Sequence, residues 1–160
     1  FASIFKKETL LMGFFRALEH GQKVEDELAA ILSKNYTVTT TREKKCFSGY
    51  DLECTDNETG ETLKIEVKVD SRAITSHLIA VELNKTKDGV IEPSGLSNTQ
   101  ADYYAYKIQG LVGFWCVLTT DLKKLVEADG VIKISGGDNQ SSNLALVPFK
   151  EYKKYATHLQ

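Results

Sequence analysis

The chain has 160 residues, a length that suits one domain built around one sizeable core. With 42% hydrophobic and 26% charged residues it is neither disordered nor collagen-like in composition. A net charge of −2 argues against a protein that coats nucleic acid non-specifically, although basic side chains gathered locally could still meet a phosphate backbone. Three cysteines, Cys46, Cys54 and Cys116, form no CxxC pair and leave an odd count. They read as reduced thiols of a cytoplasmic protein rather than as a disulfide framework or a zinc site. No apolar run reaches membrane-span length. The opening Phe1–Leu11 contains Lys6, Lys7 and Glu8 and lacks a signal-type apolar stretch. Residues 1–12, ending at the sole methionine, are expected to be an extension outside the core of a single domain covering 1–160.

In chain order, the spacing of Leu18, Val24, Leu28, Ile31 and Leu32 predicts a helix over Gly13–Leu32, with Gly21 as a point where it could break. Tyr36–Thr41 is rich in β-branched residues and reads as a strand. Tyr50–Thr55 and Leu63–Val69 alternate apolar and polar residues as half-buried strands do, around a turn at Asp56–Gly60. Leu78–Leu83 reads as a strand and Lys85–Asn98 as a loop. Thr99–Gln109 is predicted to be a helix capped by Ser97 or Asn98. Leu111–Leu118 suits a buried strand. Asp121–Ala128 reads as a helix capped by Thr120 or Asp121, Val131–Ile134 and Leu144–Val147 as short strands, and Pro148 as the start of a last helix. The order implies an α/β fold with a central mixed β-sheet flanked by helices.

The informative stretch is Tyr50–Asp70. A turn centred on Asn57–Gly60 sets Tyr50 opposite Val67, Leu52 opposite Ile65 and Cys54 opposite Leu63, all largely apolar. On the other face Asp51 stands opposite Glu66 and Glu53 opposite Lys64, with Lys68 two residues beyond Glu66. A slip of one residue would set apolar against polar along the whole hairpin, so the pattern specifies the register. Two carboxylates facing each other across strands destabilise a sheet unless something neutralises them. A divalent cation would do so, and hard oxygen donors without His or Cys favour Mg²⁺, with Mn²⁺ as a substitute, over zinc. Such a cation could bind a phosphate oxygen and acidify a water, with Lys68 beside it to position or deprotonate that water or to offset developing charge. The same residues would also suit the solvated face of an amphipathic hairpin.

Gly49-Tyr50-Asp51 followed by Ile65-Glu66-Val67-Lys68 resembles the PD-(D/E)XK nuclease superfamily, with Tyr50 in place of the nominal proline. Downstream, Glu82 and the run Pro93-Ser94-Gly95-Leu96-Ser97-Asn98-Thr99-Gln100-Ala101-Asp102-Tyr103-Tyr104 resemble a subgroup frequent in phage genomes. The likeness spans roughly Gly21 to Tyr106. It implies a restriction-endonuclease-like core and Mg²⁺-dependent hydrolysis of phosphodiester bonds in DNA, with duplex DNA favoured. It also implies a homodimer or higher homo-oligomer, and the cytoplasm of a bacterial or phage-infected cell. Carried over by position, Asp51 and Glu66 would hold metal and Lys68 would complete the catalytic set. Glu25, on the preceding helix, would be its further acidic member. Glu82, Ser97, Thr99, Gln100 and Asp102 would support the site. Arg42, Lys44, Lys45, Arg72, Lys85 and Lys87 flank it in sequence and would contact the DNA backbone. Gln100 and Tyr104 also match a Q-x-x-x-Y pattern of RecB-like exonucleases, but the Pro-Ser-Gly element fits the first subgroup better. Homing or restriction-like cleavage, branched-DNA resolution, exonuclease action and an inactive DNA-binding module all remain open at this point.

Overall fold

The computed structural model describes residues 2–44, 47 and 49–160. A long helix α1 (Ala2–Leu32) precedes β1 (Tyr36–Thr40), β2 (Leu52–Asp56) and β3 (Thr62–Asp70). A short helix α2 (Ala73–Ser76), strands β4 (Leu78–Lys87) and β5 (Val90–Glu92) and a 3₁₀ turn (Gly95–Ser97) follow. The remainder is β6 (Tyr103–Ile108), β7 (Phe114–Leu118), α3 (Thr119–Val126), β8 (Ile132–Gly136), β9 (Ser142–Pro148), α4 (Phe149–Lys153) and β10 (Thr157–Leu159). Among the described residues no helix is long and apolar enough to cross a membrane.

The strands form two sheets, one of six strands in the order β1-β2-β3-β6-β7-β10 and one of four in the order β5-β4-β9-β8. In the larger sheet β3 and β6 run parallel and every other neighbouring pair is antiparallel. This is the mixed central sheet that the sequence implies; the second sheet is an addition to it. One face of the large sheet packs Leu52, Cys54, Ile65, Ala105 and Phe114 beneath Val24 and Leu28 of α1. The other face presents Tyr104, Tyr106 and Val117 to Ile79, Val81, Ala145 and Val147 of the smaller sheet and to Leu122, Leu125 and Tyr152 of α3 and α4. Burial holds the Cys54 and Cys116 thiols up at about 11 and about 12, so both are inert core groups. Cys46 lies outside the described residues.

Several expectations need correction. Gly21 does not break α1, because it faces open space and costs a helix only about 1 kcal/mol. Lys85–Asn98 is not one loop: β4 runs on to Lys87 and turns back into β5 through Asp88 and Gly89, both left-handed at φ 51° and 78°. Thr99–Gln109 is not a helix. Its second half is β6, whose tyrosines alternate between faces and fit a strand buried on both sides better than a helix stripe. The helix α3 begins after Leu118 without a side-chain cap, so neither Thr120 nor Asp121 caps it.

One buried carboxylate joins the two sheets. Asp70, at the end of β3, accepts the Arg72 and Ala73 N–H groups on Oδ1 at 2.9 and 2.8 Å, and the Ala80 N–H on Oδ2 at 3.0 Å. It therefore closes the turn of α2 and ties β3 to β4. Asp70→Ala would strand these donors at a cost of roughly 3 kcal/mol, which lowers the melting temperature by about 6–12 °C. A shift under about 2 °C by circular dichroism would count against this role.

Candidate metal centre

The β2–β3 hairpin is built as its sequence implies. Asp56 Oδ1 accepts the Glu58 and Thr59 N–H groups at 2.8 and 2.9 Å, and Gly60 supplies the positive φ of 75° that the turn needs. Leu52 pairs with Ile65, Glu53 with Lys64 and Cys54 with Leu63. The regular ladder stops one residue before the expected contact of Asp51 with Glu66. The Asp51 N–H bonds to the Ile65 carbonyl at 2.9 Å, so Asp51 and Leu52, at the entry to β2, both address Ile65 of β3, as in a β-bulge. Tyr50 consequently does not share the face of Leu52. It joins the core facing the smaller sheet, where its hydroxyl donates to Glu53 Oε2 at 2.7 Å.

The slip gives Asp51 a particular seat. Its Oδ2 accepts the Val67 N–H at 2.7 Å, a bond that a backbone carbonyl would take in an unbroken ladder. Burial, and then the charge of Glu66, raise its carboxyl to about 6, with the Val67 N–H, Lys68 and Arg42 pulling the other way. Glu66 lies beside it on β3, and its Oε1 is 2.7 Å from Lys68 Nζ. Burial favours loss of the Lys68 proton, but Glu66, joined by the charge of Asp51 and by Tyr104, outweighs this and raises the ammonium group above its ordinary value. Glu25, on α1, is raised by burial, partly offset by Arg42, and the Asp51 charge adds to the rise. Asp51, just before β2, is thus electrostatically linked to Glu66 and Lys68 of β3 and to Glu25 of α1.

A cleft of about 240 Å³ opens beside Glu66 and Lys68 and is lined further by Glu82, Lys85, Thr99 and Tyr104 among others; Asp51 and Glu25 lie outside its lining. Glu82 forms its far wall, accepting the Ser94 and Ser142 hydroxyls at 2.6 and 2.9 Å. Gly95 packs directly on Glu82 with φ 52°, and a Cβ there would overlap the Glu82 carbonyl. Gly95→Ala should therefore push the Pro93–Asn98 segment off β4 and cost about 3 kcal/mol, read as a lower melting temperature. A variant as stable as its parent would show that the segment yields freely. Tyr104 faces Glu66 across the parallel pair and lines the cleft together with Thr99. The helix predicted for this region hid the place of Tyr104 beside Glu66; strand alternation from Tyr103 to Ile108 was the signal that could have found it. A larger groove of about 640 Å³ adjoins through Lys68 and Glu82 and continues past Asp70, Arg72, Tyr106 and Leu144.

Other predicted residues lie elsewhere. Asp102 is away from the cleft: its Oδ2 accepts the Lys64 N–H at 2.8 Å and its own N–H donates to the Lys64 carbonyl at 2.7 Å, pinning the start of β6 to β3. Gln100 packs against Gly49, whose carbonyl accepts its N–H at 3.0 Å. Ser97 closes the 3₁₀ turn by bonding to Ser94 rather than capping a longer helix. Among the predicted backbone contacts, Lys85 lines the cleft, Arg72 borders the larger groove and Lys87 is exposed on the β4–β5 hairpin. Lys44 Nζ lies 5.2 Å from the Phe47 ring centroid. Arg42 turns to α1, bonding Glu25 and Asp26. Lys45 lies outside the described residues.

Among the described residues no three His, Cys, Asp or Glu side chains are gathered closely enough to hold a metal ion unaided. The oxygens of Asp51 and Glu66 fit a cation that takes one or two carboxylates and completes its shell with water and phosphate. Asp51, held up near 6 by burial and a like charge, is the kind of group that a divalent cation relieves.

The chain matches no protein-family model and no curated protein. Its fold is similar to that of I-Ssp6803I, a bacterial homing endonuclease, with a TM-score of 0.52 at 16% identity over 85% of each chain. At that identity the likeness is one of fold: an α/β domain with a mixed sheet flanked by helices.

Proposed function

We propose that this chain is a metal-dependent DNA endonuclease of the PD-(D/E)XK type, homing or restriction-like, that hydrolyses phosphodiester bonds of duplex DNA as a homodimer. The observation that carries this reading is the Lys68 ammonium group 2.7 Å from Glu66, both of them lining one cleft, with Asp51 close enough for the Glu66 charge to raise its carboxyl. The fold shared with a homing endonuclease supports it.

Asp51 and Glu66 would hold Mg²⁺ or Mn²⁺, with Glu25 as a further carboxylate nearby. When bound, the cation supplies Lewis-acid polarisation of the phosphate and a water of lowered pKa. Asp51 is oriented for this by the Val67 N–H, which fixes one of its oxygens. Lys68 stays protonated beside Glu66 and offsets negative charge as it grows on the phosphate oxygens. Lys85 extends the positive lining along the cleft. The test is incubation of purified protein with linear, supercoiled, four-way-junction and single-stranded DNA in Mg²⁺ and in EDTA, beside an Asp51→Asn/Lys68→Ala control. Internal cuts in duplex DNA that need the cation and vanish in the control are expected. Junction preference would turn the reading to a resolvase, and loss from ends to an exonuclease. DNA binding without cleavage in either Mg²⁺ or Mn²⁺ would leave a binding module.

A further inference from the structure

The sequence places Arg42 among the DNA contacts, but the fold turns it inward. Its Nη2 and Nε lie 2.8 and 3.2 Å from Glu25 Oε2, and Nη2 also reaches Asp26 Oδ1 at 2.9 Å and the Gln22 carbonyl at 3.2 Å. The Glu25 side chain is only 19% exposed and that of Arg42 29%, so water screens this pair less than it would a surface ion pair. The residue before it, Thr41, is buried and grips the other side of the site: its N–H donates to the Asp51 carbonyl at 2.9 Å and its hydroxyl to the Tyr50 carbonyl at 2.6 Å. Thr41 and Arg42 together therefore link the backbone of Asp51 to the side chain of Glu25. The Arg42 charge also acts on Asp51 itself.

We infer that Arg42 is the built-in counter-charge of the proposed cation site: it neutralises Glu25 and its acidic neighbours when no cation is bound and opposes a cation that binds there. The inference rests on the reading of Asp51 and Glu66 as cation ligands. Both guanidinium contacts use one oxygen of Glu25, so a cation approaching that carboxylate meets a fixed positive charge beside it. Arg42 thus keeps the acidic groups together in the empty protein at the expense of cation affinity. A residue that merely aimed Glu25 as a ligand would act in the opposite direction, since its loss would weaken binding.

The experiment is calorimetric titration of Ca²⁺ into the parent protein, Arg42→Gln, Arg42→Lys and Asp51→Asn at fixed ionic strength, with thermal melts in EDTA and in Ca²⁺. Arg42→Gln should bind Ca²⁺ roughly five- to tenfold more tightly than the parent, melt lower in EDTA and gain more from Ca²⁺. Arg42→Lys, which keeps the charge but loses the planar fork, should fall between them, and it carries the test if Arg42→Gln does not fold without cation. Affinity equal to or weaker than the parent's in the folded variants overturns the inference and leaves the cation site standing. Ca²⁺ binding by the parent no different from that of Asp51→Asn overturns both.

Discussion

Asp51→Asn is expected to reduce cleavage by about 10³-fold or more while leaving the protein folded and, without cation, more stable than its parent. On the proposed reading, the reduction follows because Asp51 would be one of two charged ligands. The stability follows from the seat of Asp51. Its Oδ2 accepts the Val67 N–H, and an asparagine oxygen can do the same, whereas Asp51→Ala would leave that donor unpaired at a cost of about 1–3 kcal/mol. Asparagine is therefore the cleaner substitution. The charge, not the hydrogen bond, is what the metal-free fold bears at a cost. The folded carboxyl sits at about 6 against an ordinary 3.8, so the folded state holds this proton more tightly than the unfolded chain. The stability tied to this group is complete below pH 4, declines as pH rises towards 6 and is lost above it. Allowing for partial exposure, the loss is on the order of 2 kcal/mol, or about 4–8 °C in melting temperature. In EDTA the variant should melt higher than the parent at pH 8 by that margin and lose the advantage near pH 4. Cation affinity of the parent should likewise fall as pH drops through 6, because Asp51 must give up its proton to bind. A variant that cleaves at the parental rate, or melts below the parent at pH 8 in EDTA, would remove Asp51 from the site.

Lys68→Ala should lower cleavage by about 10²–10⁴-fold with little change in Ca²⁺-dependent DNA binding. Glu66 lies against the ammonium group and favours its charged form, so on the proposed reading its contribution would be electrostatic rather than that of a base. Lys68→Arg then becomes the informative comparison. A guanidinium keeps the charge but cannot give up a proton near neutral pH, so partial recovery over Lys68→Ala is expected. If the arginine variant is as inactive as the alanine one, Lys68 acts by transferring a proton instead. If the alanine variant cleaves normally, the cleft is not where the chemistry occurs. Single-turnover rates on one duplex, measured alongside binding in Ca²⁺, separate these outcomes.

The amino-acid sequence by itself determined the β2–β3 hairpin, because a strand with one buried face tolerates only one register. Leu52, Cys54 and Ile65 had to point one way and Glu53 and Lys64 the other, and the Asp56–Gly60 turn is local chemistry. It also brought Asp51, Glu66 and Lys68 into one region, since two short strands joined by a tight turn leave them nowhere else to go. Tertiary structure decided what local pattern leaves degenerate. Tyr103–Ile108 carries apolar residues at spacings that suit either a helix or a strand, and only its seat between β3 and β7, parallel to the first, antiparallel to the second and buried on both faces, selects the strand. The slip at Asp51 depends on Thr41 and Val67, and the join between sheets on three N–H groups converging on Asp70. Arg42 faced solvent or helix equally well on paper; Glu25 and Asp26, 17 and 16 residues away in the chain, drew it inward. Periodicity reports which side of an element is buried, but where a charge finds its partner is settled only when distant segments meet.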